Sequence, residues 1–121
     1  MYCNKLHGWS YKLPVNEYLR GLLSVDYVDT ITEPGPVRIL AEQQQSVLAE
    51  SILARVDISI NKHKSSTVAV VAHYHCAGNP VEKNVQLEQL KKATKWLSEK
   101  YPDAKILGLW IDSNWEILQY C

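Results

Sequence analysis

The sequence contains no phenylalanine, carries no net charge and has no long apolar run. With 13 Lys+Arg against 13 Asp+Glu and no cluster of cations, it lacks the positive face that neutralises several phosphates. Nucleic acid is therefore not an expected partner. The longest unbroken apolar run, Val68–Ala72, is far short of the roughly 20 residues of a membrane span, so no membrane partner is expected either. The opening MYCNKLHGWS has no basic-then-apolar leader pattern. Cysteine is sparse and odd in number (Cys3, Cys76 and Cys121), which does not suit a disulfide framework and makes a reducing cytoplasm the expected location. Without phenylalanine, four Trp and seven Tyr hold all the aromatic volume. Each of those rings has a polar tip, which places them at core edges or in an interface, and a homo-oligomer is expected.

What is present fits a single domain over residues 1–121. Apolar residues make up 46% and charged residues 21%, which is ordinary globular usage, and no repeat or linker interrupts the chain. Val15, Tyr18, Leu19 and Leu22 follow helical spacing behind Pro14, which suits a first helical turn. Asp26–Thr32 alternates apolar and polar residues and is predicted to be a strand, ended by Glu33-Pro34-Gly35-Pro36. A long helix is predicted from about Val37 to His63, with Leu40, Val47, Ala54 and Ile58 on one face and Leu48, Ile52 and Val56 beside them. Thr67–Ala72 is apolar on both faces, as in a covered parallel strand. A loop over His73–Pro80 leads to an amphipathic helix over Glu82–Lys100, a strand over Ala104–Ile111 and a weak edge strand over Trp115–Tyr120. This alternation predicts an α/β fold: an open, mainly parallel sheet of about four to five strands with helices on both faces. Functional crevices of such sheets lie beyond the carboxyl ends of the strands. That rule gathers the loops Glu33–Pro36, His73–Pro80 and Asp112–Trp115.

His73-Tyr74-His75-Cys76 sets two imidazoles and a thiol behind the most apolar strand. A His and a Cys three residues apart can turn toward one ion, and that donor pair suits zinc. A third ligand must come from elsewhere: Cys3 is the thiol near another strand end, and His75, His7 and Asp112 are further donors. Against this stands the plainer reading, a buried cysteine packed as a small hydrophobe and a histidine bonded to a backbone carbonyl. Glu33 could present a carboxylate to the same crevice, or simply belong to a rigid turn. His75 is a pocket candidate or a surface residue, and Asp112 follows the last core strand as a pocket residue or a turn residue. No residue is assigned a catalytic role.

The segment VVAHYHCAGNP over Val70–Pro80 resembles the H-x-x-C zinc loop of the β-class carbonic anhydrases, with His73 and Cys76 at the two ligand positions. EYLRGLLSVDYVDTITEPGP and ILGLWIDSNWEI are similar to the small prokaryotic carbonic-anhydrase-like relatives of that class. The resemblance runs over most of the chain in element order. It implies a β-carbonic-anhydrase-like domain in which the ends of adjacent strands hold Zn2+ through one further cysteine, here Cys3, together with His73 and Cys76. It also implies a lyase that hydrates CO2 to bicarbonate through a zinc-activated water, and a dimeric or larger assembly. The family's first strand ends in C-x-D-x-R, and no such run occurs in these 121 residues. Two functions from different classes stay open. One is a zinc-binding carbonic-anhydrase-like protein acting on CO2/bicarbonate or another small anion, its catalysis impaired or absent without the Asp–Arg pair. The other is a metal-free, non-catalytic module binding a small ligand or a protein.

Overall fold

The structure, a computed structural model, describes residues 12–121. Helix α1, Lys12–Leu23, is followed by α2, Pro36–Glu42, and α3, Val47–Asn61. Strand β1, Thr67–His73, leads through α4, Lys83–Lys100, to β2, Lys105–Ile111, and β3, Ile117–Gln119. The fold is α/β. Among the described residues the sheet has three strands in the order β1-β2-β3, fewer than the four to five expected. β1 and β2 are parallel, from Thr67 opposite Lys105 to His73 opposite Ile111. β3 runs antiparallel to β2, with Ile111 opposite Ile117. No helix among the described residues is long and apolar enough to cross a membrane.

Strand alternation sends the side chains of β1 into two cores. Val70 and Ala72 pack with Leu40, Ile52, Leu90 and Leu97 of α2, α3 and α4. Val71 packs on the other face with Val15 and Leu19 of α1 and with Leu107, Leu109 and Ile111. Helices therefore cover both faces, which is why β1 and β2 read as apolar runs rather than as alternating ones. The face of α1 is narrower than its spacing suggests: Val15 and Leu19 are buried, while Leu22 is 48% exposed.

Two predicted elements are corrected. Asp26–Thr32 is not a strand; only Thr32 makes an isolated bridge. Its half-buried Val28 and Ile31 pack against opposite cores, so the segment passes from one sheet face to the other. Asp29 is anchored to α3, accepting from Ser59 Oγ at 2.6 Å and pairing with His63 Nδ1 at 2.6 Å. The long helix over Val37–His63 is two helices. Ser46 Oγ donates to the Gln43 carbonyl at 2.6 Å and accepts from Ala49 N–H at 3.2 Å. One serine thus satisfies both the end of α2 and the start of α3. The interruption narrows the buried face of α3 to the side that holds Ile52 and Val56, both expected to be apolar contacts. Ala49, Ile52 and Val56 are buried, whereas Val47, Leu48 and Ile58, expected in the core, are exposed.

Candidate metal centre

His73 is the last residue of β1, not the first of a loop, and is 1% exposed. Tyr74 N–H donates to the Ile111 carbonyl at 2.9 Å, carrying the pairing with β2 one residue past the strand. His75 then adopts φ 51°, a left-handed conformation uncommon for residues other than glycine. This leaves His75 exposed, its ring centroid 4.0 Å from that of Tyr74, and takes the chain back inward to Cys76, which is buried at 4% exposure. The two ligand candidates are thus buried on either side of a turn whose middle faces outward.

His73 Nδ1 lies 2.9 Å from the Tyr74 carbonyl oxygen. A carbonyl only accepts, so Nδ1 carries the hydrogen, and in the neutral ring Nε2 then holds the lone pair. Metal-binding histidines are commonly oriented in this way, with one ring nitrogen on a carbonyl and the other presented as donor. The residues present fit a zinc ion in chemistry, one neutral imidazole nitrogen and one thiol sulfur.

The backbone around them is anchored. Gln86 Nε2 donates to the His73 carbonyl at 3.1 Å, and Asn79 N–H donates to the Cys76 carbonyl at 3.2 Å. Asn79 Nδ2 donates to Gln89 Oε1 at 2.6 Å, and Gln89 Nε2 donates to Glu42 Oε1 at 3.1 Å. Asn79, Gln86 and Gln89 are each 4% exposed or less. Sequence reasoning missed all three, because Asn79 between Gly78 and Pro80 reads as a loop closure and glutamine on a helix reads as a solvated face. The available signal is phase: Gln86 precedes Leu90 by four residues, and Gln89 precedes Ala93 by four, on the buried stripe of α4.

The three loops expected together do adjoin. A Cβ on Gly35 would meet the Gly78 carbonyl, and one on Gly78 would lie 2.5 Å from Gly35 N. The Tyr74–Ile111 bond joins the loop to the end of β2. The further pocket candidates are engaged locally. Glu33 forms an ion pair with Arg55 of α3. Asp112 Oδ1 accepts from Asn114 N–H at 2.8 Å and from Glu116 N–H at 3.0 Å, which shapes the turn into β3. Cys3 and His7 lie outside the described residues. Among the described residues, no group of three or more His, Cys, Asp and Glu is gathered to hold a metal. An apolar cleft of about 220 Å³ lies elsewhere. It is lined by Leu19, Val28, Val56 and Val68 with Asp29, and includes neither His73 nor Cys76.

No curated protein matches the chain, and no solved structure does. A family described as "Putative carbonic anhydrase" matches residues 9–121. The H-x-x-C turn lies inside that match, which covers nearly the whole chain, and this protein belongs to the putative carbonic anhydrase family.

Proposed function

We propose that this protein binds zinc through His73 and Cys76 with Cys3 as the third protein ligand, and that its substrate class is CO2/bicarbonate or another small anion. The observation that carries the reading is the bond between His73 Nδ1 and the Tyr74 carbonyl, which fixes the tautomer whose Nε2 can donate to a metal. Burial of both side chains supports it, since a donor pair removed from bulk water competes less with solvent for the ion. Bound there, zinc supplies the Lewis acidity that makes water a nucleophile near neutral pH. His73 would contribute a neutral nitrogen and Cys76 a thiolate, so binding would release protons and weaken as pH falls. A reducing cytoplasm, where thiols are kept reduced, suits this role.

CO2 hydration is proposed to be impaired or absent. The related enzymes' C-x-D-x-R run has no counterpart in the sequence. Loss of groups that orient a metal's ligands commonly costs about 10–100-fold in affinity or activity. Elemental analysis of the purified protein tests the first half. Close to one zinc per chain is expected, lost in His73→Ala and Cys76→Ser and reduced in Cys3→Ser. A wild-type value near zero removes the zinc reading and leaves a metal-free binding module on this fold. Proton release on CO2 addition tests the second half. Equal rates for wild type and His73→Ala would rule out catalysis at this centre.

A further inference from the structure

We infer that Asn79, Gln86 and Gln89 are a positioning set for the H-x-x-C turn, and that the carboxylate of Glu42 fixes their orientation; this rests on the zinc reading of that turn. The buried positions of α4 otherwise hold Leu87, Leu90, Ala93, Thr94 and Leu97. Placing two glutamines among them is costly unless their amides are bonded. Gln86 and Gln89 are three residues apart, so they share one side of the helix, and both reach the turn. Gln86 holds the carbonyl of His73, while Gln89 holds the side chain of Asn79, whose N–H holds the carbonyl of Cys76. His73 and Cys76 are therefore each fastened through their own backbone.

The polarity of the chain follows from its last member. An ionised carboxylate accepts and cannot donate, so Gln89 turns Nε2 to Glu42 and Oε1 to Asn79. Asn79 must then donate with Nδ2, as it does. One exposed glutamate at the end of α2 thereby sets two buried amides and the turn they hold.

The test exchanges the polarity of one link. Gln89→Glu places two acceptor-only groups against each other. Gln89→Glu combined with Glu42→Gln lets position 89 accept from both Asn79 and position 42. Zinc affinity is read by competition with a chromophoric chelator. The alkylation rate of Cys76 is read in metal-free protein by peptide-resolved mass spectrometry, which separates it from Cys3 and Cys121. Gln89→Glu is expected to weaken zinc about 10-fold or more and to speed Cys76 alkylation. The double variant is expected to restore both with unchanged circular dichroism. Unchanged values in Gln89→Glu, or a folded double variant that restores neither, overturn the inference. If wild type binds no zinc, the zinc reading fails while the alkylation rates still decide the positioning role. Where a charge variant does not fold, Gln86→Met is read instead: faster alkylation of Cys76 supports the inference and an unchanged rate overturns it.

Discussion

Gly78→Ala should destabilise the protein far beyond what adding one methyl group ordinarily does. The new Cβ would lie 2.5 Å from Gly35 N, 2.5 Å from Pro34 C and 2.8 Å from Pro34 Cα. All three are backbone atoms, so no side chain can swing aside. Pro34 and Pro36 flank the contact with rings that lock φ near −65°, and Gly35 between them sits at φ 62°. Relief requires the two loops to part by about 1 Å, and overpacking of this kind costs about 1–3 kcal/mol; the rigid neighbours put it near 3. Gly35→Ala adds a left-handed backbone penalty of about 1–2 kcal/mol to its clash with the Gly78 carbonyl, so it should cost more still. Gly21→Ala is the control. Nothing lies within 4 Å of its Cβ position in α1, and replacing a helical glycine there should stabilise by about 0.5–1 kcal/mol. Urea unfolding followed by circular dichroism separates the three, since a midpoint shift at constant slope reports stability directly. If Gly78→Ala unfolds within about 1 kcal/mol of wild type, the two loops are not in backbone contact and the site is looser than described.

Three further outcomes are expected. Tyr101 donates to Asp57 Oδ1 at 2.6 Å, and burial, then the bond and charge of Asp57, hold its hydroxyl well above the ordinary tyrosine value of 10.0. A folded value above the unfolded one means this tie stabilises fully below pH 10 and fades as pH rises beyond it. Tyr101→Phe should therefore cost about 1 kcal/mol at pH 7, with a gap to wild type that narrows above pH 10; a gap independent of pH would contradict the assignment. Ser46→Ala should cost about 1 kcal/mol in urea unfolding and Ser46→Asp should recover most of it, whereas equal stability of all three would mean that α3 does not depend on this cap. Finally, we propose self-association through α3, where Val47 is 79%, Leu48 48% and Ile58 53% exposed. Sedimentation at micromolar concentration should give a mass above one chain, reduced by Leu48→Glu, and a single-chain mass throughout would refute it.

Legibility in the sequence followed how many forces agreed on each segment. β1, α4 and β2 were readable because periodicity, boundary residues and burial all point the same way, as with the Pro80 and Pro102 breaks around α4. The region Val37–His63 was misread because helical spacing carries through Gln43–Gln45, where nothing apolar interrupts the count. The decisive interaction there is between the Ser46 hydroxyl and two backbone groups, a local competitor of the helix that hydrophobic spacing does not register. Asp26–Thr32 alternates as a strand would, yet its two apolar contacts serve opposite sheet faces, a tertiary use that a period of two imitates. The site divides in the same manner. His73 and Cys76 stood out because ligand-type side chains follow directly on an apolar strand. Gln86 and Gln89 did not, because an amide is equally at home in water. Only their phase on α4 marks them, and burial of an amide at such a phase implies that a bonding partner waits opposite. On α4 each glutamine has a partner in the loop that carries His73 and Cys76, so the helix that covers the sheet also anchors the loop at its end.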